Sequence, residues 1–172
     1  MKSARLLFAI GLILTSSNLG TAQYENRLWK QKILLLQSTR ADVEKVLGKP
    51  SSGQDYLVTY NLNDGILYLE YNLFDHCKPR DGVNADLSVA EWTVTEVEFL
   101  PNRKTTVASL HLNLKHLRMA HLSPETPQLL SYIDDKEGIE YTVNESSHTL
   151  NSVRYFPGSR HDALRCPNTL QK

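Results

Sequence analysis

Residues 56–71 read YLVTYNLNDGILYLEY, and this stretch carries the strongest fold signal in the chain. The side chains of residues 56–62 alternate in the pattern expected of a half-buried strand, and residues 66–71 have the pattern of a second strand that runs back beside the first. Asn63-Asp64-Gly65 separates the two runs, and Asp-Gly is a favoured pair in tight hairpin turns. The stretch therefore predicts a β-hairpin.

The residues before the hairpin, 38–50, read STRADVEKVLGKP and predict a short helix. Thr39 suits the N-cap because its hydroxyl can accept a hydrogen bond from a free backbone N–H. The carboxylate of Asp42 then lies near the positive end of the helix. Gly48 can adopt the left-handed conformation that ends a helix, and Pro50 prevents continuation.

Residues 92–100 form a further candidate strand, and a change of apolar phase near Thr95 and Glu96 predicts a β-bulge there. Residues 110–121 begin with the alternation of a strand and continue at helical spacing, so a strand followed by a helix is expected. Two more strands are expected at 138–143 and 150–156, with a turn at 144–148 between them.

The two candidate hairpins resemble each other in sequence. DGILY at 64–68 and EGIEY at 137–141 each open a return strand. A duplication would explain this similarity, and it would divide the chain into related halves at 23–101 and 102–172.

The helix segment also resembles the first-helix signature of the BamE/SmpA family, small bacterial envelope domains that share a layout with β-lactamase-inhibitory proteins. The matching positions are Thr39, Asp42-Val43, Leu47-Gly48 and Pro50. The chain is similar still more closely to a set of uncharacterised exported bacterial proteins with this helix, a mid-chain cysteine and an Arg-Cys-Pro end. The resemblance implies an interaction domain and supplies no catalytic residue.

Taken with the strands, this layout predicts an α+β fold: an antiparallel sheet covered on one face by short helices, possibly built from two related halves. The length and the ordinary composition, 41% hydrophobic and 22% charged, suit a single folded domain.

The first 22 residues are interpreted as a cleaved signal peptide. Lys2 and Arg5 precede a short apolar run at 6–14, and Gly20-Thr21-Ala22 places small residues where a signal peptidase cleaves. The apolar run is shorter than the roughly 20 residues that a membrane-spanning helix needs. We therefore expect residues 23–172 to be a soluble exported domain, periplasmic or extracellular, with no stable membrane anchor.

Cys77 and Cys166 are the only cysteines, and an even pair in an exported protein usually forms a disulfide. Two free buried thiols are an alternative. A thiol nucleophile at Cys77, beside His76 and Lys78, is a third possibility.

The balance of 19 basic and 19 acidic side chains gives no electrostatic reason to expect nucleic acid. His111, His116 and His121 recur every five residues, a spacing that does not place them on one helix face to hold a metal. Metal, phosphate-loop and hydrolase motifs are also missing from the sequence, so neither a cofactor nor a metal is expected.

The function predicted from the sequence is a non-catalytic secreted or envelope binding or scaffold module, whose partner is another envelope or extracellular protein. The alternative is a secreted hydrolase assembled from distant residues such as Asp75, His76 and His161. The long irregular segment 72–91, anchored by Cys77, is the expected binding site because long ordered loops are often functional. Most of the eight tyrosines are expected in the core, with an outward subset available for binding.

Overall fold

A computed structural model describes residues 33–78, 83 and 85–167, so the predicted signal peptide lies outside the described residues. The one α-helix, α1, spans Arg40–Leu47. Three short 3-10 helices span Val107–Leu110, Leu114–His116 and Ser159–Leu164. The strands are β1 Ser52–Gln54, β2 Leu57–Leu62, β3 Gly65–Tyr71, β4 Val94–Pro101, β5 Arg118–His121, β6 Leu129–Asp134, β7 Ile139–Asn144 and β8 Thr149–Tyr155.

All eight strands form one antiparallel sheet with the order β1-β2-β3-β4-β8-β7-β6-β5. Strands β1 to β4 form one meander and β5 to β8 form another. The two join where β4 pairs with β8, at Val97↔Tyr155, Glu98↔Arg154 and Phe99↔Val153. From each edge of the sheet towards its centre, four strands follow one another in sequence order, β1 to β4 from one edge and β5 to β8 from the other. The duplication itself stays a prediction.

Several local predictions are confirmed. Thr39 caps α1 in a reciprocal capping box with Asp42. Gly48 does end the helix, but its φ 80 and ψ −162 are not the left-handed helical conformation that was expected, although the positive φ favours glycine. β2 and β3 form the predicted hairpin. Glu70 pairs with Glu96 and Tyr71 pairs with Val94, so Thr95 is the extra residue of the predicted bulge.

The α+β prediction is wrong. The described residues hold an eight-stranded sheet and a single eight-residue α-helix, so the fold is β-rich and no layer of helices covers the sheet. The strand-then-helix expected at 110–121 is instead two 3-10 turns followed by β5. The part of this stretch with helical spacing forms the edge strand β5, because its pairing with β6 overrides the local preference.

The central strands have two unlike faces. On the core face, the buried apolar side chains of both meanders form one cluster, into which α1 inserts the fully buried Val43. The segment before α1 supplies Ile33 to the same cluster, and the first 3-10 helix supplies Leu110. The strand residues of this cluster include Leu67, Leu69, Tyr71, Val94, Val97, Phe99, Tyr141, Val143, Val153 and Tyr155.

The predicted disulfide is confirmed: Cys77 and Cys166 are bonded, with their Cα atoms 5.5 Å apart. Near it, the Cys166 N–H donates to the Asp86 carbonyl at 3.0 Å, and the Ser88 N–H donates to the Leu164 carbonyl at 2.6 Å. The C-terminal segment is therefore fastened to the 72–91 segment by covalent and backbone bonds. Within the described ranges, no helix has both the length and the apolar character needed to cross a membrane.

Candidate functional site

Charged side chains lie side by side across the other face of the central strands, which we call the polar face. Strand alternation places Glu70 on this face of β3 because its neighbours Leu69 and Tyr71 are buried on the core face. The register then aligns Glu70 with Glu96, and two residues further along β4 it aligns Arg154 with both Glu98 and Glu140. A diagonal contact between Arg154 and Glu96 joins these two aligned sets into one charged row. The strands of this row are β3, β4, β8 and β7.

Arg154 is at the centre of the row and contacts carboxylates on both sides. Its Nη2 lies 2.6 Å from Glu96 Oε2, and its Nη1 lies 3.3 Å from Glu140 Oε2. Glu140 is nearly buried and also accepts a hydrogen bond of 2.6 Å from the Ser131 hydroxyl. The hydrogen bond with Glu96 raises the pKa of Arg154, so its positive charge is fixed. The guanidinium carbon also lies 5.6 Å from the centre of the Phe156 ring.

Glu70 is in a different electrostatic position from the other carboxylates of the row. Burial raises its pKa, the neighbouring Glu96 raises it further, and Arg154 lowers it in part. Among the described residues, the ion pairs of the row join Arg154 to Glu96 and Glu140, and none reaches Glu70. Glu70 therefore has no direct ion-pair partner among the described residues, and Arg154 compensates its charge only in part.

A cavity of about 430 Å³ opens over this end of the row, and we call it the polar-face cavity. Strand residues form its floor, the 72–91 segment forms one wall, and the chain after β8 forms another. Its lining residues are Tyr56, Glu70, Tyr71, Asn72, Leu73, Phe74, Asp86, Leu87, Thr95, Glu96, Arg154, Phe156, Pro157 and Arg165.

The wall made by the 72–91 segment is held in place by the side chain of Asn72. Its amide nitrogen donates to the carbonyl oxygens of Phe74 at 2.5 Å, Val89 at 2.9 Å and Ala90 at 3.2 Å. Asn72 thus joins the start of the segment to its end, and Leu87 and Val89 are buried in a small apolar cluster with Leu36. Together with the disulfide, these contacts hold the described parts of this wall, 72–78 and 85–90, against the rest of the molecule.

The segment predicted to carry the binding site does line this cavity, but the charged floor was not predicted. Glu70, Glu96 and Arg154 belong to three strands, and no local pattern brings them together. The available signal was the presence of charged side chains at alternate positions of otherwise apolar strands. Of the tyrosines, Tyr60, Tyr71, Tyr141 and Tyr155 are buried in the core, whereas Tyr56 is 44% exposed at the cavity rim.

The residues considered for a hydrolase lie outside the cavity lining. Asp75 pairs with Lys78 at 2.5 Å and lies 3.7 Å from His76, and all three side chains are well exposed. His161 belongs to the last 3-10 helix, and burial, the largest cause, lowers its pKa. Because Cys77 is in the disulfide, it is not a thiol nucleophile.

The cavity offers carboxylates, guanidinium groups and aromatic rings to a ligand. Across the described part of the chain, no group of three or more histidine, cysteine, aspartate or glutamate side chains is placed to hold a metal ion. Comparisons with protein-family models, with curated proteins and with solved structures find no match to this chain.

Proposed function

We propose that the protein is a non-catalytic binding module of the cell envelope or the extracellular space, and that it holds a cationic segment of another exported protein in the polar-face cavity. The observation that carries the proposal is the half-buried carboxylate of Glu70 on the cavity floor, which lies next to Glu96 and is only partly compensated by Arg154.

The charge of the cavity favours a cationic ligand. Arg154 already pairs with Glu96 and Glu140, and Arg165 already pairs with Asp162 at 3.1 Å. Glu70 is left with a raised pKa that a positive ligand group would lower. A lysine or arginine side chain supplies this charge at the end of an apolar stem.

The aromatic lining suits the rest of such a side chain. Phe74 comes from the fixed wall and Phe156 from the chain after β8, while Tyr56 is at the rim. These rings can pack against a methylene stem and can interact with a cation through their faces. Because the walls are pinned by Asn72 and by the disulfide, little loop entropy is lost on binding.

A binding role is favoured over hydrolysis because the cavity and the candidate hydrolytic residues are separate. Asp75, His76 and His161 are not among the residues that line the cavity. The disulfide is compatible with an oxidising compartment and so supports the predicted export. The BamE-like assignment stays a prediction that would fit an envelope role.

The test is a titration of the purified protein with short capped glycine peptides that carry one central lysine, glutamate or norleucine. We expect measurable affinity for the lysine peptide alone, and we expect Glu70→Gln to weaken it. Glu98→Gln is the matched control, since Glu98 lies on the same face of β4 but does not line the cavity. Equal affinity for the lysine and norleucine peptides, or equal loss in the two variants, would contradict the proposal.

A further inference from the structure

The two edge strands of the sheet differ in how they meet solvent. β1 has three exposed residues, its central Gly53 adopts φ 121, and the Lys49-Pro50 pair lies just before the strand. β5 forms the other edge of the sheet. It has no proline, glycine or lysine, and its one charged side chain, Arg118, is paired with Asp135 of the same chain. Its Met119 is 63% exposed, and Leu122, the next residue after the strand, is 50% exposed.

The backbone of β5 has hydrogen-bonding groups that point away from the sheet. The Leu122 N–H donates to the Leu129 carbonyl, so the backbone groups of Leu122 and, by alternation, Ala120 face β6. Those of Met119 and His121 therefore face outward. Within the described part of the chain, no strand pairs with this outer side.

From this geometry we infer that β5 is a self-association edge, at which two copies of the chain pair their β5 strands antiparallel about a twofold axis. The inference is independent of the polar-face cavity. Alternation requires that residues facing each other across such an axis share a face of the sheet. Centring the axis on Ala120 meets this condition and places Met119 opposite His121 of the second copy. Both are outward-facing residues, so each such pair can exchange two backbone hydrogen bonds, giving four in all.

The side chains of the edge are compatible with this register. Small Ala120 meets its own counterpart at the axis, and the thioether of Met119 meets an imidazole ring. Arg118 lies opposite Leu122 of the second copy, where its aliphatic stem can pack against the leucine.

The charges of the edge are compatible with a second copy as the occupant. Arg118 is the one permanently charged side chain of β5, and both of its contacts to Asp135 are short: Nε to Oδ2 at 2.7 Å and Nη2 to Oδ1 at 2.8 Å. Its charge is therefore balanced within its own chain. Bringing two copies together places no unbalanced like charges across the axis, and the remaining edge residues are apolar or histidine.

The experiment measures the sedimentation and the amide hydrogen exchange of the purified protein over a range of concentrations. We expect a reversible dimer, together with slower exchange of the Met119 and His121 amides as the concentration rises. The Ala120 amide, which already faces β6, is the internal reference. A protein that remains monomeric up to millimolar concentration would overturn the inference, as would a dimer in which these two amides exchange at the monomer rate.

A pair of variants separates the edge from general surface hydrophobicity. Met119→Lys places a charge on the edge, and we expect loss of the dimer. Leu57→Lys replaces another exposed apolar side chain, 48% exposed on β2, and we expect the dimer to persist. Circular dichroism confirms that each variant is folded. If both variants abolish the dimer, or if neither does, the edge is not the interface.

Discussion

The two faces of the central strands β3, β4 and β8 differ in composition and in how they are stabilised. On the core face, alternate positions carry apolar side chains that are almost completely buried, as at Leu69 and Val94. On the polar face, the intervening positions carry the half-buried Glu70, Glu96 and Arg154, and Arg154 pairs with Glu96 across two strands. One set of strands can therefore supply both the stability of the fold and a charged surface, because each strand residue belongs to one face only.

The two faces also respond to different forces. Packing on the core face is limited by shape, so a lost methyl group leaves a void. Ion pairs on the polar face are half-exposed, so solvent screens them and each contributes less. Substitutions on the core face should therefore lower the free energy of unfolding by more than substitutions on the polar face.

The largest effect is expected from the disulfide, which holds the wall of the polar-face cavity. Replacing Cys77 and Cys166 together by serine removes a crosslink that spans 89 residues. The chain-entropy model gives about 4–5 kcal/mol for a loop of this length, as an upper value. Guanidinium unfolding should report this loss of stability, and lysine-peptide affinity should fall because the wall loses its anchor. A variant with unchanged stability and affinity would show that the disulfide does not support the cavity.

The second prediction compares opposite faces of β3. Leu69→Ala removes a fully buried side chain and should cost on the order of 3 kcal/mol of unfolding free energy. Ile66→Ala is the matched control, because Ile66 lies on the same strand but is half-buried on the polar face. Urea unfolding of both variants should show a clearly smaller loss for Ile66→Ala. Equal losses would mean that the polar face is packed as tightly as the core.

The third prediction concerns the centre of the charged row. Arg154→Met leaves the nearly buried Glu140 without its cationic partner and should cost about 1–2 kcal/mol, between the values for exposed and buried pairs. Arg160→Met breaks an exposed ion pair with Glu137 and should change the stability by less than about 0.5 kcal/mol. Chemical denaturation of both variants distinguishes the two sites. A loss no larger for Arg154→Met than for its control would contradict the account.

The smallest effect is expected in the pH dependence of stability. The folded pKa of Glu70 is raised, so the unfolded chain releases this proton at a lower pH than the folded chain. Stability should therefore decline as the pH rises from the ordinary glutamate range through the folded pKa. Glu70→Gln removes the titration and should raise the thermal midpoint at neutral pH but not in acid, relative to the wild type. A midpoint that falls at neutral pH would contradict this sign.

The parts of the fold with local sequence signals were predictable. The cap at Thr39, the β2–β3 hairpin and the bulge at Thr95 each depend on residues close together in sequence. β5 was missed because the helical spacing that ends the 110–121 stretch gave a competing signal, and β1 and β6 were not predicted either. The layer of helices was wrongly predicted because it was extrapolated from one well-capped helix and the resemblance that this helix carries.

The site was predictable only in part. The 72–91 segment was identified from its length and its cysteine, and it does form a wall of the cavity. The floor depends on the pairing of β4 with β8, which joins residues more than fifty positions apart. Since hydrophobic alternation specifies the face of each residue but not the neighbour of each strand, a single sequence does not reveal that Glu96 and Arg154 meet.

Cation binding in the polar-face cavity is tested most directly by a map of amide chemical-shift changes in the wild-type protein during titration with the lysine peptide. We expect saturable changes at Glu70, Thr95, Glu96 and Phe156, together with Asn72 in the wall, and much smaller changes at Glu98 on the same face. Changes confined to the helix α1 or to the β5 edge, or no saturable change with the lysine peptide, would contradict the claim that the polar-face cavity is the binding site.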